Sequence, residues 1–260
     1  MTTAEILVDP DMILPGARMI RAMISDAPIR VKVSREYTGE CDLLMTYGTG
    51  HPTRRPWWKQ HRESGRNCIG IDLGYWKQDL GCMRFTIDDD HPQALIRTED
   101  PRRWDAQNIP LRDDWHPDGY AVIVGMGRKS LPVHGLQMLE WERRAVALAI
   151  AKGLRPVLKL KTDRMPVIAG VPVARGKIEG ALKGASLVIC RHSNVAVDAC
   201  IAGVPVICED GAAVSLYRDS PYQSRERRLE FLRSLAHWQY APSEAKIAWS
   251  YLLGRLENEN

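Results

Sequence analysis

The stretch Ser186–Ala213, SLVICRHSNVAVDACIAGVPVICEDGAA, contains the features that decide the fold. Its two apolar runs, Leu187–Cys190 and Val204–Cys208, are short and rich in Val and Ile, which is typical of buried strands in a parallel sheet. Between them, Asn194–Ala202 has apolar residues at helical spacing and is followed by Gly203, a residue type that often ends helices. The stretch therefore predicts a strand, a turn, a helix and a second strand, the repeating unit of an α/β domain.

The turn that follows the first of these strands, Arg191–Asn194 (RHSN), is the predicted ligand site. An open α/β sheet binds its ligands at the carboxyl ends of the strands, where the next helix begins. Ser193 or Asn194 can cap this helix, and the backbone amides beside them can bind an anion. The alternative is a Rossmann-like domain in which the same residues only cap a helix.

Strands and helices alternate along the rest of the chain in the same way. Strands are predicted at residues 4–8, 29–33, 41–45, 67–73, 83–87, 120–124 and 156–160, and helices at residues 17–25, 136–152, 178–184, 225–238 and 242–256. From residue 120 to residue 208 the order is strand, helix, strand, helix, strand, helix and strand. This order indicates a parallel sheet with right-handed connections.

A glycine-rich turn after the strand at residues 120–124 is a second candidate phosphate site. It matches neither the Walker A motif nor GxGxxG, but its glycines, cations and hydroxyl suit a phosphate group. The residues concerned are Gly125, Gly127, Arg128, Lys129 and Ser130. Lys159 and Lys161, at the end of the next strand, are expected to reach the same anion. The alternative is a basic turn that only connects a strand to a helix.

Polar residues also follow the predicted strands of the first half of the chain. The strand at residues 41–45 leads into a glycine-rich turn that ends near His51, which is either a base or an ordinary loop residue. Asp72 lies at the end of an apolar strand, where an unpaired acid is costly to bury, so it needs a partner or faces a ligand. The strand at residues 83–87 leads into three consecutive aspartates, including Asp89, and carboxylates of this kind can bind Mg²⁺.

Two basic segments and the aromatic pair Tyr75–Trp76 are candidates for contact with nucleic acid, because cations bind phosphates and flat rings stack on exposed bases. The candidate residues are Arg54, Arg55, Trp57, Trp58, Lys59, Tyr75, Trp76, Arg225 and Arg228. For residues 54–62 the alternative is a helix whose Trp side chains enter the core. For the Arg cluster at residues 225–228 the alternative is a solvated helix face.

Length and composition place the chain among ordinary globular α/β proteins. With 260 residues, 45% apolar residues and 26% charged residues, it can form one large domain or two small ones. No apolar run approaches the ~18 residues of a membrane span, and the N-terminus has no signal-peptide pattern, so we predict a cytoplasmic protein without membrane contact. The six cysteines form no CxxC pair, which predicts buried thiols.

The segment HSNVAVDACIAGVPVIC, followed by EDGAA, resembles the donor-binding half of GT-B glycosyltransferases. Together with DLGYW and the following strand and HP pair, it is similar over residues 41–218 to phage-encoded enzymes of this type that glycosylate hydroxymethylated bases in DNA. The resemblance implies an α/β fold with two Rossmann-like domains of the GT-B type. Residues 1–115 would bind the acceptor and residues 116–225 the nucleotide sugar. C-terminal helices at residues 226–260 would cross back and pack against both.

The resemblance also implies the ligands and the donor site. The co-substrate would be a nucleotide sugar, with UDP as the expected nucleotide, and helix N-termini and basic groups would hold its diphosphate without a metal. The donor site would comprise the turn and strand-end residues Gly125, Gly127, Arg128, Lys129, Ser130, Lys159, Lys161, His192, Ser193, Asn194, Asp198 and Gly211.

The reaction implied by the resemblance is transfer of a sugar to the hydroxyl of a hydroxymethylated pyrimidine in double-stranded DNA. It needs a base that removes the proton of the acceptor hydroxyl. Asp72 is the first candidate for this base, and His51 and Asp89 follow. Two alternatives remain: a glycosyltransferase with a glycan or small-molecule acceptor, and a non-catalytic module that binds nucleotides or nucleic acid.

Overall fold

The chain forms an α/β structure with two separate sheets. The computed structural model describes residues 2–7, 16–92, 100–162 and 164–258. The strands of this part are β1 (Thr3–Leu7), β2 (Arg30–Ser34), β3 (Leu43–Tyr47), β4 (Asn67–Leu73), β5 (Met83–Ile87), β6 (Tyr120–Val124), β7 (Pro156–Lys159), β8 (Ala185–Cys190), β9 (Val206–Cys208) and β10 (Gln239–Tyr240). Its helices are α1 (Ala17–Ser25), α2 (Arg54–Glu63), α3 (Arg102–Asp105), α4 (Glu140–Ala151), α5 (Ile178–Leu182), α6 (Val195–Ala202), α7 (Val214–Tyr217), α8 (Arg225–Ala236) and α9 (Ala245–Asn258).

The first compact unit consists of Met1–Gln93 and Leu235–Asn260. Its sheet has the strand order β10-β5-β4-β3-β1-β2. Strands β1 to β4 are parallel, whereas β5 is antiparallel to β4, and β10 is antiparallel to β5. The inner strands β1 and β3 are almost wholly buried, as expected for parallel strands that are covered on both faces.

The second compact unit, Ala94–Ser234, contains a four-stranded parallel sheet with the order β7-β6-β8-β9. Every residue of β8 is buried, including Ser186, which agrees with the apolar run Leu187–Cys190. Helix α4 covers one face of this sheet, where Trp141 packs with Ile123, Leu158 and Ile189. The predicted parallel α/β sheet is therefore confirmed for this half of the chain.

The first four strands of each unit are arranged in the same order: second, first, third, fourth. In both sheets the chain crosses over its first strand to reach the third, so the connections diverge between these two strands. Ligands of open α/β sheets bind where connections diverge, at the carboxyl ends of the strands. In the second unit this position lies between the ends of β6 and β8, and in the first unit between the ends of β1 and β3.

Most predicted elements agree with the structure to within a few residues, and the predicted end of β1, Val8, lies outside the described residues. Helix α4 begins at Glu140 instead of residue 136, because Leu139 has a positive φ of 62° that interrupts the helix. The bounds of the compact units differ from the predicted boundaries at residues 115 and 225. The segment before β6 belongs to the second unit, where the amides of Arg112 and Asp114 donate to the carbonyls of Ile201 and Ala202 on α6.

The C-terminal segment completes the first unit through Gln239 on β10. Its side-chain oxygen accepts hydrogen bonds from the amides of Tyr75 and Trp76, and its Nε2 donates to the carbonyl of Trp76 at 3.0 Å. Gly74 is required beside it, because a Cβ there would lie 2.8 Å from the Gln239 side-chain oxygen and 2.7 Å from the carbonyl oxygen of Cys82. Within the described residues, no helix has the length and apolar character needed to cross a membrane.

We expect Gln239→Ala to lower the free energy of unfolding by about 3 kcal/mol, because it removes the hydrogen bonds that Gln239 makes to buried backbone groups of Tyr75 and Trp76. Urea unfolding monitored by Trp fluorescence measures this change. Gln78→Ala is the control: Gln78 also bonds to this loop, through the carbonyl of Gly74, but it is exposed. Equal losses in the two variants would contradict the assigned role of Gln239.

Candidate functional site

The loops that follow all four strands of the second unit converge on one group of residues. After β8, His192 Nε2 lies 3.2 Å from the Oγ of Ser130, which belongs to the glycine-rich turn after β6. After β7, Lys161 lies over Gly127: a Cβ built on Gly127 would be 3.3 Å from the Lys161 Nζ. After β9, a Cβ on Gly211 would be 3.2 Å from the Cα of His192. The structure thus brings together five of the predicted donor residues.

A second group of polar side chains supports this convergence, and its members His134 and Arg144 were not predicted. The rings of His134 and His192 lie 5.0 Å apart at an angle of 36°. Arg191 Nη2 lies 3.3 Å from the His134 Nδ1. Arg191 also forms an ion pair with Glu209. Arg144 forms a second ion pair with Glu209, at 3.3 Å. His134 lies in a short 3₁₀ turn without periodic pattern, so the sequence held no signal for it. Arg191 belongs to the turn predicted as the ligand site, and Glu209 follows a buried strand, which is a signal that could have found it.

The electrostatic environment keeps His192 neutral at pH 7. Burial of the ring is the largest cause that lowers its pKa, and the nearby His134, Lys161 and Arg191 add to it while Asp210 opposes them, with a net value of about 4. A neutral imidazole can either donate a hydrogen bond to the Ser130 hydroxyl or accept one from it. The positive charge of the group then comes from Lys161. The site therefore combines a positive charge, hydroxyl and imidazole groups, and the N-terminus of α6, which together suit a phosphate group.

Protonation of His192 is expected to destabilise the second unit at acidic pH. Its folded pKa lies below its unfolded value of 6.5, so the unfolded chain binds the proton first, and stability falls between pH 6.5 and about pH 4. Between these pH values the free energy of unfolding of the wild type should fall by about 2 kcal/mol more than that of His192→Gln, after allowance for solvent screening. Urea unfolding at several pH values measures it. Parallel stability curves for the two proteins would contradict the prediction.

The remaining predicted donor residues lie on the turn after β6, at the end of β7 and in the first part of α6 or just before it. Arg128 and Lys129 are exposed on the turn, and the carbonyl of Lys159 accepts a hydrogen bond from the Gly125 amide at 2.9 Å. At the start of α6 it is Ser193 that makes a side-chain bond, by accepting from the Val195 amide at 3.2 Å. Ser193 is thus the one of the two predicted cap residues that makes such a bond, and the side chain of the N-cap residue Asn194 makes no cap hydrogen bond.

Asp198 lies one turn into α6, where its side chain is largely buried. Its pKa is raised to about 7, first by burial and then by the carboxyl group of Glu179 on α5, whereas Arg112 lowers it. Glu179 and Arg112 are therefore the charged residues that act on the pKa of Asp198.

In the first unit, Asp72 and His51 lie at the same edge of the sheet, because Asp72 is near the carboxyl end of β4 and His51 is in the turn after the neighbouring parallel strand β3. Asp72 Oδ2 lies 3.1 Å from the Nη2 of Arg84, and Oδ1 accepts a hydrogen bond from the Leu73 amide at 2.7 Å. The expected partner of Asp72 is thus Arg84, while 34% of the Asp72 side chain stays exposed. The charge of Asp72, after burial, raises the pKa of Tyr47.

The third candidate base, Asp89, lies on an exposed turn after β5. Because β5 runs antiparallel to β4, this turn begins at the opposite edge of the sheet, where Asp88 accepts a hydrogen bond from the Cys68 amide at 2.6 Å. Asp88 and Asp90 are paired with Arg62 and Arg55. Within the ranges that the structure describes, no group of three or more His, Cys, Asp or Glu residues is arranged to hold a metal ion.

The rings predicted to stack on nucleic-acid bases are largely buried. Trp58, Tyr75 and Trp76 are only 8%, 3% and 8% exposed, so they present no ring face to a base. Trp57 is half-buried and packs against the apolar cluster that contains Trp58. Residues 54–63 form α2, so the alternative interpretation of a helix whose Trp side chains enter the core is correct, and the stacking role is corrected.

The cations of the predicted nucleic-acid contacts have partners within the chain. Both Oδ atoms of Asp90 accept hydrogen bonds from Arg55 at 2.8 Å, and Arg54 donates to the Tyr47 carbonyl at 2.6 Å. Lys59 is exposed and lies 3.6 Å from Glu63. Arg228 is 4% exposed and donates to the carbonyl of Cys200, and Arg225 and Arg228 both pair with Asp113. Arg228 thus has a structural role instead of a DNA-facing one.

The fold agrees with that of two solved structures. No protein-family model and no curated protein sequence matches the chain. It is similar to a β-Kdo 2,4-transferase of Thermosulfurimonas dismutans KpsC, with a TM-score of 0.54, 14% identity and 94% of both chains covered. It is also similar to the β-Kdo 2,7-transferase of the same KpsC, with a TM-score of 0.53, 13% identity, and coverage of 97% of this chain and 99% of that chain. These similarities concern the fold alone, and they confirm the predicted α/β fold of two Rossmann-like units of the GT-B type.

Proposed function

We propose that this chain is a glycosyltransferase that uses a nucleotide-sugar donor, with UDP as the expected nucleotide. The observation that carries this proposal is the convergence of four strand-end loops on His192, Ser130, Lys161 and the N-terminus of α6. Backbone amides, a lysine and a helix N-terminus at the carboxyl edge of a parallel sheet form a site for a diphosphate. The fold shared with two Kdo transferases supports the same function.

In this proposal the second unit binds the donor and stabilises the leaving group. Lys161 and the amides at Gly127 would contact the diphosphate, and Ser130 and His192 would add hydrogen bonds. The exposed cations Arg128 and Lys129 would supply further charge. Positive groups fixed in place before the reaction favour departure of the diphosphate, because they stabilise the charge that develops on it. The loop at Gly211 would meet the ribose or the sugar.

The first unit would bind the acceptor and supply the base, for which Asp72 is our proposal. Its carboxyl group would take the proton of the acceptor hydroxyl while that oxygen forms a bond to the anomeric carbon. The bond between the anomeric carbon and the diphosphate oxygen breaks, and the nucleoside diphosphate leaves with the electron pair. Arg84 and the Leu73 amide fix the orientation of Asp72 for this step.

Two acceptors are supported by different observations. A hydroxymethylated pyrimidine in double-stranded DNA is supported by the sequence resemblance over residues 41–218. A glycan hydroxyl is supported by the fold shared with the Kdo transferases and by the burial of Trp58, Tyr75 and Trp76, which removes the stacking argument for DNA. We keep the DNA base as the first acceptor to test and the glycan as the second.

The test is incubation with hydroxymethylated and plain duplex DNA, and separately with bacterial glycans, each with a set of UDP- and GDP-sugars. Mass spectrometry of the digested nucleosides and glycans reports the product, and calorimetry reports nucleotide binding. A pentose or hexose on the hydroxymethylated base alone would support the DNA acceptor. Transfer to a glycan without any change in DNA would support the second acceptor. If no nucleotide sugar binds, the proposed function is wrong.

A further inference from the structure

Glu142 is a buried acid that the proposed reaction does not use. It lies in the first turn of α4, is 2% exposed, and accepts a hydrogen bond from the backbone amide of Met126 at 2.7 Å through its Oε1. Met126 is the residue between the two glycines of the turn after β6. The carboxyl group of Glu142 therefore lies against the turn that carries the proposed diphosphate contacts.

The buried position of the Glu142 side chain is energetically unfavourable. Among the residues that the structure describes, the second oxygen of Glu142, Oε2, is buried and has no hydrogen-bond partner. A buried carboxyl group with one amide partner is unfavourable compared with an apolar side chain of the same size. Glu140, two residues earlier on α4, satisfies a backbone amide near the surface, that of Gln137, at 2.9 Å. Stabilisation of the helix start alone thus does not require an acid at position 142.

The bond to Met126 fixes the turn from its buried side. The Met126 side chain is 3% exposed and belongs to the apolar core below the turn, so its amide and its side chain are both held. The next residue, Gly127, then lies beneath Lys161, and Ser130 reaches His192. The position of these contacts depends on the conformation of the backbone at Met126.

We propose that Glu142 is a positioning residue that holds the turn Gly125–Ser130 in the conformation that binds the nucleoside diphosphate. This inference rests on the proposed function for the identity of the ligand. A negative charge beneath a diphosphate opposes binding, so it is the hydrogen-bond acceptor, and not the charge, that explains Glu142. Gln keeps an acceptor and removes the charge, whereas Met has a similar shape and removes both.

The experiment compares Glu142→Met and Glu142→Gln with the matched control Glu140→Met. Hydrogen exchange of the peptide that contains Met126 reports the bond itself, calorimetry with UDP reports binding, and thermal unfolding reports stability. In Glu142→Met we expect faster exchange at Met126 and about tenfold weaker UDP binding, since loss of one buried hydrogen bond changes an equilibrium by about this factor. Its melting temperature should stay close to that of the wild type, because the costly buried acid is also removed. Glu142→Gln and Glu140→Met should keep wild-type exchange and UDP affinity.

Two results would overturn the inference. One is a Glu142→Met protein that melts earlier and binds UDP as tightly as the wild type, which would make Glu142 a purely structural residue. The other is a Glu142→Gln protein that loses UDP binding as Glu142→Met does, which would make the charge the essential feature. If the wild type binds no UDP or GDP, the proposed function fails instead, and the exchange data still decide whether Glu142 holds the turn.

Discussion

Asp72→Asn is expected to lower the kcat of sugar transfer about 100-fold or more, since a positioned general base contributes at least this factor. Asn is close to Asp in size, and its oxygen can still accept from Arg84 or from the Leu73 amide, but it cannot take a proton. UDP binding should be unchanged, because the residues proposed for the donor belong to the second unit. Calorimetry and steady-state kinetics with the identified acceptor measure the two effects separately.

The control for this variant is Asp79→Asn, which changes an exposed acid on the loop that follows the same strand. Its kcat should equal that of the wild type. His51→Gln tests the second candidate at the same edge of the sheet, where the ring nitrogen Nδ1 lies 3.3 Å from the amide of Thr53. If Asp72→Asn keeps its kcat while His51→Gln loses it, the base is His51, and our assignment of Asp72 is wrong.

The convergence of the turns at Gly127 and His192, our proposed donor site, could be expected from local sequence patterns. The runs at β6 and β8 are apolar and rich in β-branched residues, so both could be identified as buried parallel strands, and polar turns follow each of them directly. Parallel strands have their carboxyl ends at one edge of the sheet. The turn at Gly127 and the turn at His192 were thus expected at one edge, although 65 positions separate them in the sequence.

The partners of the polar side chains could not be predicted, because they depend on contacts between distant segments. Gln239 bonds to the amide of Tyr75, 164 positions away, across a sheet edge formed by two antiparallel strands. The two interpretations of Trp58 stayed open for the same reason: a Trp beside cations looks the same in a sequence whether its ring is buried or exposed. Glu142 was missed because charged residues in the first turn of a helix are usually solvated, and only the packing of α4 against the sheet buries this one.

The role of Lys161 can be tested through the backbone that it covers. We expect Gly127→Ala to weaken UDP binding about tenfold, since a charge-assisted hydrogen bond is worth about that factor or more. The new Cβ would lie 3.2 Å from the Cδ and 3.3 Å from the Nζ of Lys161, closer than ordinary contact, so the flexible lysine must move away. Calorimetry with UDP measures this loss, and the free energy of unfolding should hardly change.

Gly125→Ala is the matched control, because a Cβ at that position has no neighbour closer than 3.6 Å, which is ordinary van der Waals contact. Its UDP affinity should equal that of the wild type. If Gly127→Ala acts by displacing the lysine, Lys161→Ala should weaken UDP binding by a similar factor, and the double variant should bind no more weakly than Lys161→Ala alone. If the losses of UDP affinity in the two single variants add up in the double variant, Gly127 and Lys161 contribute to binding independently. Gly127 would then be needed for a reason other than the close approach of Lys161.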